Sequence, residues 1–330
     1  MNFGEEMTTD YLLNLYYEML RIRLAAEKLI ELCNNGHIEA PVHLSIGQEA
    51  VAVGVMAALR PQDKIVSTHR CHAHYLAKGG DLVKMIAEIA GRRTGCCGGR
   101  GGTMHLFDNS VGHVVSAPLV GASIALAVGL GLSFKMKGEN KIAVAFFGDG
   151  AVEEGIFWES INFVSVHKLP VIFVCENNFY ATHSPILRRQ PHDEIVSRVI
   201  PHGLTTVTTD GNNVLDVLYS AKVAIRLAKT NHPVFIEART YRFKEHWGVG
   251  DDWHLGYRSR EEGEKWLKRC PLKNLYDNLK QRFESNNYWT LDLRICQLEK
   301  MVKTEIEEAA QLAISSLPPV KEDLFFDGEI

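Results

Sequence analysis

Two short apolar runs, separated by one helix-length segment, constrain the fold of this chain more than any other feature. The first run covers residues 141–147 and leads into Gly-Asp-Gly at 148–150, and the second covers residues 170–175 and leads into Glu-Asn-Asn at 176–178. Runs of this length are typical of buried parallel strands, and the segment 152–168 between them is long enough for a crossover helix. The pattern predicts a β-α-β unit.

Polar residues stand at the carboxyl ends of both apolar runs. In a parallel sheet, ligands bind beyond these ends. Asp149 would contribute a carboxylate there and Asn178 a carboxamide, while Gly148 and Gly150 allow the backbone to approach a ligand closely. Oxygen ligands of this kind suit Mg²⁺ that holds a phosphate group. These residues therefore predict a site for a Mg²⁺–diphosphate cofactor.

The rest of the chain continues the alternation of strands and helices. Further strands are expected at residues 64–67, 204–208 and 233–240, and helices at 12–32, 82–90, 119–134, 214–229, 260–285 and 291–316. Neither an internal repeat nor a linker divides the chain. We therefore expect an α/β fold in which helices flank a parallel sheet, built as a single domain over residues 1–330. An N-terminal helix would cover about residues 8–36, and a helical C-terminal extension would cover about residues 258–330.

Composition and charge narrow the functional classes. The net charge of -4 gives no reason to expect a nucleic acid or a membrane surface as partner. The sequence has no run of 18 apolar residues, so no transmembrane helix is predicted. The N-terminal residues lack a basic-then-apolar leader, and a cytoplasmic location is therefore expected. The seven cysteines contain no CxxC pair, which favours reduced thiols over a disulfide framework or a metal site.

Two arginines and a histidine follow the ends of other predicted strands. Arg70 comes after the strand at 64–67, and Arg242 and His246 come after the strand at 233–240. Guanidinium groups bind phosphate oxygens through charge-assisted hydrogen bonds, and the N-terminus of the helix after Gly150 would favour the same anion. We interpret the glycine-rich stretch at 95–105 as a further ligand-facing loop.

Each of these residues also has a purely structural interpretation. Asp149 could cap the following helix, although its pairing with Asn178 favours a metal site. Arg70 and Arg242 could form surface salt bridges, and His246 could be an ordinary loop histidine.

The ordered set of motifs resembles a known enzyme family. Asp149 within Gly-Asp-Gly, followed 29 positions later by Asn178 within Glu-Asn-Asn-Phe-Tyr, looks like the thiamine-diphosphate motif. Further stretches are similar to the alpha subunit of the E1 component of 2-oxo acid dehydrogenases, closest to the pyruvate and acetoin dehydrogenase branch. They lie at residues 47–50, 68–70, 98–105 and 240–242, and the resemblance extends over about residues 10–320.

The resemblance implies a thiamine-diphosphate-binding fold and a role for each matching residue. Mg²⁺ would be bound by the side chains of Asp149 and Asn178 and by the backbone carbonyl of Tyr180. The remaining cofactor contacts would come from His69, Arg70, Val120, Gly121, Gly150, Ala151, Arg242 and His246. The diphosphate would be bound by the backbone N–H groups of Gly150 and Ala151 and by the two arginines. His69 stands at a position where the family often has tyrosine. The backbone at 120–121 would contact the aminopyrimidine, and His246 would be the catalytic residue over the thiazolium ring.

The same resemblance implies a reaction and partners. The chain would be the alpha subunit of an enzyme that decarboxylates a pyruvate-like 2-oxo acid, or cleaves acetoin, and passes the acyl group to lipoamide. A beta subunit would supply the glutamate that activates the cofactor, so the active unit would be an alpha2-beta2 heterotetramer, with a lipoyl-bearing E2 acyltransferase as the next partner. One alternative is a two-subunit carboligase or decarboxylase without a lipoyl partner, and another is a non-catalytic scaffold.

Overall fold

The computed structural model describes residues 7–282 and 288–324. Its centre is a six-stranded sheet in which every neighbouring pair of strands is parallel. The strands are β1 (Lys64–Thr68), β2 (His113–Ala117), β3 (Ala143–Gly148), β4 (Val171–Asn177), β7 (Thr205–Asp210) and β8 (Val234–Arg239), in the spatial order β2-β1-β3-β4-β8-β7. Two further strands of two residues each, β5 (Tyr180–Ala181) and β6 (Ser184–Pro185), pair as a small hairpin.

Helices cover both faces of the sheet, as the sequence predicts for this fold class. They are α1 (Thr9–Asn34), α2 (Glu49–Met56), α3 (His72–Ala77), α4 (Leu82–Ile89), α5 (Ala122–Met136), α6 (Gly155–His167), α7 (Val196–Val199), α8 (Val214–Ala228), α9 (Arg260–Leu267), α10 (Pro271–Arg282) and α11 (Tyr288–Ser315). No helix in the described part of the chain is long and apolar enough to cross a membrane.

The predicted β-α-β unit is present, and its two strands end side by side. β3 and β4 are neighbours in the sheet, and their pairing runs from Ala143 opposite Val171 to Gly148 opposite Glu176. The connecting helix α6 packs beside α5 against this part of the sheet. The residues that follow β3 and β4 are therefore brought to one edge, as the sequence pattern predicts.

The central strand β3 is apolar up to its final glycine because it is covered on both faces. Val144 and Phe146 of β3 belong to a core that includes α2 and α8, whereas Ala145 and Phe147 belong to a core that includes α5 and α6. This alternation explains why the run at 141–147 lacks the polar positions of a half-exposed strand.

A third core joins the N-terminal helix to the C-terminal helix. Buried residues of α1, α4 and α11 pack in one cluster, with Leu12 and Val302 both fully enclosed. Three ion pairs add to this contact, one of them between Arg21 of α1 and Glu305 of α11 at 2.7 Å. The helices α1 and α11 are thus packed on each other, and the assignment of residues 1–330 to a single domain stays a prediction.

Three local predictions need correction. The helix expected at 260–285 is two helices, α9 and α10, because Pro271 begins the second one and cannot continue the first; residues 283–285 of that prediction lie outside the described part. The crossover helix begins at Gly155, since a 3-10 turn at Asp149–Glu153 comes before it. The edge strand β2 was not predicted, because His113 and Ser116 interrupt any apolar run there.

Candidate active site

A cavity of about 430 Å³ lies at the carboxyl edge of the sheet, where the strand order changes direction. The chain leaves β1 toward β2 on one side and leaves β3 toward β4 on the other, so residues after these strands line a common crevice. The residues predicted for the site that line it are His69, Arg70, Val120, Gly121, Asp149, Gly150, Ala151, Asn178, Tyr180 and His246. Arg242 is the one member of the predicted set that does not line the cavity.

Asp149 directly follows β3 and is buried, with 1% of its surface exposed. Its Oδ2 atom accepts a hydrogen bond from Arg189, while its Oδ1 atom has no hydrogen-bond partner among the described residues. Burial raises the pKa of this carboxyl above its usual range, against the opposing charge of Arg189. An unpartnered carboxylate oxygen in a buried position is a strong acceptor that a ligand can satisfy.

The loop after β4 brings Asn178 and Tyr180 to the same edge. The Oδ1 atom of Asn178 accepts a hydrogen bond from the backbone N–H of Tyr180 at 3.2 Å, and both residues are buried. Phe179 between them has a φ of +71°, a conformation that side-chain-bearing residues adopt rarely and at a cost of about 1–3 kcal/mol. Asn177 stabilises this turn, because its side chain accepts from the Phe179 N–H and donates to Glu237.

Asp149, Asn178 and Tyr180 together fit a hard divalent cation. A carboxylate, a carboxamide and a backbone carbonyl are oxygen donors of the kind that Mg²⁺ prefers. The unpartnered Oδ1 of Asp149 is the observation that supports this fit, since it is an acceptor with no donor in the described protein. Beside it, a Cβ atom placed on Gly148 would meet nothing within 4 Å, so the backbone there is open to a ligand.

Arg70 is the buried cation of the cavity. Its guanidinium donates to the carbonyl of Leu44 at 2.6 Å and to the carbonyl of His246 at 2.9 Å, and it forms no ion pair within the described ranges. Burial, together with the nearby Arg242, lowers the pKa of Arg70 to about 9. A buried guanidinium that lines a cavity without a carboxylate partner favours an anionic ligand.

Arg242 lies in a closed network behind the cavity wall. Its side chain is fully buried and contacts Asp252, Tyr257, and the carbonyls of Lys244 and Thr182. These bonds connect the segment that carries His246 to the rest of the fold. The role of Arg242 as a diphosphate ligand stays a prediction.

Three histidines meet on one side of the cavity. The ring centroids of His43, His69 and His246 are 4.9–5.6 Å apart. Burial and the charge of Arg70 lower the pKa of all three, to about 3 for His43, about 4 for His69 and about 2 for His246. The three rings are therefore uncharged at neutral pH, and each can offer one N–H donor and one lone pair to a ligand.

His43 was missed as a site residue from the sequence. It is separated from His246 by about 200 positions, and no spacing rule connects the two. The motif Gly-Gln-Glu-Ala at 47–50, a few residues further on, was the nearest available signal, and Gln48 of that motif also lines the cavity.

Another part of the cavity wall is formed by residues at the start of α5. Gly121 caps this helix with a φ of +83°, and a Cβ atom there would lie 2.6 Å from Ile156, so the position requires glycine. Leu119 and Val120 at the cavity rim are 76% and 55% exposed. Apolar side chains this exposed beside a cavity are typical of a surface that a partner covers.

The glycine-rich stretch at 95–105 is organised by a buried carboxylate. Glu88 accepts hydrogen bonds from the backbone N–H groups of residues 97, 99, 101 and 102, at 2.6–3.1 Å. Met104 is the residue of this stretch that lines the cavity, whereas His105 is exposed. The ligand-facing interpretation therefore applies to one end of the loop.

Fold and cavity together define an α/β protein whose site, at the reversal point of a parallel sheet, suits an anion held with a divalent cation. A family model described as "Dehydrogenase E1 component" matches residues 17–321. The chain belongs to the dehydrogenase E1 component family, which depends on thiamine diphosphate, and the family predicted from the sequence is thereby confirmed.

Curated relatives are similar to almost the whole chain. The alpha subunit of acetoin:2,6-dichlorophenolindophenol oxidoreductase from Bacillus subtilis is 36% identical over 326 residues, which is 98% of this chain and 95% of the relative. The pyruvate dehydrogenase E1 component subunit alpha from Zymomonas mobilis is 35% identical over 96% of this chain and 88% of the relative. The corresponding subunit from Porphyra purpurea is 34% identical over 98% and 95%.

Proposed function

We propose that this chain is the alpha subunit of a thiamine-diphosphate-dependent E1 dehydrogenase. The observation that carries the proposal is that Asp149, Asn178 and Tyr180 line the same cavity as Arg70 and the three histidines. The family relationship supports the same function, since the relatives quoted above are named as alpha subunits of pyruvate dehydrogenase or of an acetoin oxidoreductase.

In this proposal Mg²⁺ is bound by Asp149, Asn178 and the carbonyl of Tyr180. The diphosphate is bound by Arg70, by the backbone at 150–151 and, as a less direct contribution, by the charge of Arg242. Thiamine diphosphate, when bound, would supply a nucleophilic thiazolium carbon and an electron sink for the chemistry of a carbonyl substrate. The protein contributes position, charge and exclusion of water around that carbon.

The three uncharged histidines recognise the substrate. His43, His69 and His246 line one cavity with Arg70, so N–H donors and a fixed cation face the same space. A small 2-oxo acid has a carboxylate and a carbonyl oxygen that match such a donor set, and acetoin has a carbonyl and a hydroxyl. We propose His246 as the catalytic residue. Of the three rings, it is the one on the segment after β8 that the hydrogen bonds of Arg242 hold in place.

The partner is a beta subunit that covers the open side of the cavity. Leu119, Val120 and Trp247, all more than half exposed, are apolar residues at or beside this opening. We propose an alpha2-beta2 heterotetramer, located in the cytoplasm, that transfers its acyl product to a lipoyl-bearing E2 protein. The names of the quoted relatives support a dehydrogenase, and no feature of the cavity favours a carboligase.

The test is turnover by the chain co-purified with a beta subunit from the same genome. We expect dye reduction that depends on thiamine diphosphate, on Mg²⁺ and on either a pyruvate-like 2-oxo acid or acetoin. Replacing His246 by Gln should lower kcat by about 10²–10³-fold, because the amide does not reproduce the position of the ring N–H donor that faces the substrate. His105→Gln is the matched control, since this exposed ring lies outside the cavity and its loss should leave kcat unchanged.

Absence of turnover with every small 2-oxo acid and with acetoin, in a pair that binds thiamine diphosphate, would contradict the dehydrogenase. Equal activity of the His246→Gln and His105→Gln variants would contradict the assigned role of His246 alone.

A further inference from the structure

Arg189 is a charged residue beside the cavity that no motif pointed to. It follows the β5–β6 hairpin, and 12% of its side chain is exposed. Its three donor groups are all engaged: Nη2 donates to Oδ2 of Asp149, Nη1 donates to Oε1 of Glu153, and Nε donates to the carbonyl of Ser184 at 3.0 Å. A guanidinium bound in three directions has one conformation rather than many.

These contacts connect the two halves of the proposed metal site. Asp149 belongs to the turn after β3, whereas Ser184 belongs to β6, which pairs with the strand that contains Tyr180. Arg189 therefore ties the carboxylate to the hairpin that carries the backbone carbonyl. Its bond to Oδ2 occupies one oxygen of Asp149 and leaves Oδ1 without a partner in the described protein.

Glu153 gives this arrangement its charge balance. It accepts from Arg189 and, at 3.1 Å, from the side chain of Gln190, whose own oxygen accepts from Arg198 at 2.6 Å. Without a second carboxylate, the positive charge of Arg189 would oppose a dication at Asp149. With Glu153 in contact, the guanidinium is shared between two carboxylates and the net charge of the three groups is negative.

We propose that Arg189 is a positioning residue for the metal site: it fixes the Asp149 carboxylate through Oδ2 so that Oδ1 is presented to Mg²⁺. This inference rests on the proposed function, because it needs Mg²⁺ at Asp149. Hydrogen bonds to a ligating carboxylate orient it, and their loss reduces metal affinity by about 10–100-fold. In this arrangement Glu153, which follows the Gly-Asp-Gly motif, serves as the counter-charge of Arg189.

The experiment measures cofactor binding rather than turnover, on the chain co-purified with its beta subunit. Mg²⁺ is titrated at saturating thiamine diphosphate, and bound cofactor is determined by equilibrium dialysis. Arg189→Gln should raise the Mg²⁺ concentration for half-saturation by about 10–100-fold. Arg188→Gln is the matched control, because it removes the same charge from the neighbouring, exposed position and should shift this concentration by less than about twofold.

A second titration distinguishes positioning from a direct contact with the diphosphate. At saturating Mg²⁺, the Arg189→Gln variant should bind thiamine diphosphate with nearly unchanged affinity. Arg189→Lys keeps the charge and the fold but loses the forked geometry, so it should still require more Mg²⁺ than the unmodified pair.

An unchanged Mg²⁺ requirement in Arg189→Gln would overturn the inference. A lowered requirement would also overturn it, because it would show that Arg189 competes with the metal. Weaker diphosphate binding that persists at saturating Mg²⁺ would also overturn it, in favour of a direct ligand. If the unmodified pair bound no cofactor at any Mg²⁺ concentration, the proposed function itself would fail, and this outcome is distinct from the other two.

Discussion

The buried network around Asp252 allows a quantitative test of how the fold holds the segment of His246. The side chains of Asp252, Arg242 and Arg258 are all fully buried. Asp252 accepts from Arg258 at 2.7 Å, from Arg242 at 3.2 Å and from the hydroxyl of Tyr257. Burial opposes the ionisation of Asp252, but Tyr257 and Arg258 outweigh it and lower the pKa of this carboxyl.

Asp252→Asn is the perturbation. It retains the shape and one acceptor oxygen but removes the negative charge between two enclosed guanidinium groups. Breaking a buried ion pair by removing one partner costs about 3–5 kcal/mol, and the retained oxygen places the expected loss in the free energy of unfolding near the lower limit, about 3 kcal/mol. The reason is that Arg242 and Arg258 would remain buried without a counter-charge.

Equilibrium urea unfolding followed by circular dichroism measures this loss, and Asp251→Asn is the matched control. Asp251 is the preceding residue and is exposed, so the same chemical change there should cost less than about 0.5 kcal/mol. Because the pKa of Asp252 is lowered from 3.8, its stabilising contribution is present above that pH and is lost only as pH falls through the lowered value. The difference between the two variants should therefore be constant between about pH 6 and pH 8. A loss below about 1 kcal/mol in Asp252→Asn would refute this account of the network.

Two further outcomes are expected. Glu88→Gln should lower the free energy of unfolding by about 2–4 kcal/mol and should speed proteolysis of the loop at 95–105. The reason is that an amide NH2 group cannot accept the backbone N–H bonds that the carboxylate oxygen accepts. Equal protease resistance of the variant and the unmodified chain would contradict this. Acidification should destabilise the chain, because the lowered pKa values of His43, His69 and His246 keep the folded state from binding protons that the unfolded state binds below about pH 6.5. The three rings together should reduce the free energy of unfolding by up to about 4 kcal/mol per pH unit as pH falls from about 6.5 to 5. The raised pKa of Asp149 partly offsets this loss. A free energy of unfolding that stays constant over this pH range would contradict the uncharged state of the three rings.

The centre of the sheet could be predicted from the sequence because its signal is local. Apart from Lys141, the run at 141–147 and the run at 170–175 are apolar throughout, which is typical of strands covered on both faces. Once the two strands are parallel neighbours, the positions of Asp149 and Asn178 at one edge follow from the geometry of the sheet.

Two residues of the site region could not be predicted from the sequence, because their positions depend on contacts between distant parts of the chain. His43 lines the cavity from the segment between α1 and α2, and Arg189 contacts Asp149 from the turn after the β5–β6 hairpin. Neither position has a periodic or motif signal, since each is fixed by packing among segments far apart in sequence. The strand β2 was missed for a related reason: it lies at the edge of the sheet, where the burial that produces an apolar run is incomplete.

Arg242 shows what a motif leaves open. Its position in the chain predicts a phosphate ligand, and this role stays a prediction; the surroundings of its side chain, which is enclosed by Asp252, Tyr257 and two backbone carbonyls, could not be predicted. A sequence gives the residue and its neighbours along the chain, but the orientation of a long side chain depends on which acceptors the fold brings within reach.

The most direct test of the proposed function is the Mg²⁺ dependence of thiamine diphosphate binding to the chain paired with its beta subunit. Isothermal titration calorimetry should give binding that requires Mg²⁺ in the unmodified pair. Asp149→Ala should lose this binding by at least about 100-fold while its circular dichroism spectrum is retained, because Asp149 supplies the charged metal ligand. The exposed Asp251→Ala is the control and should bind normally. Undiminished, Mg²⁺-dependent binding by Asp149→Ala would contradict the assignment of the metal site.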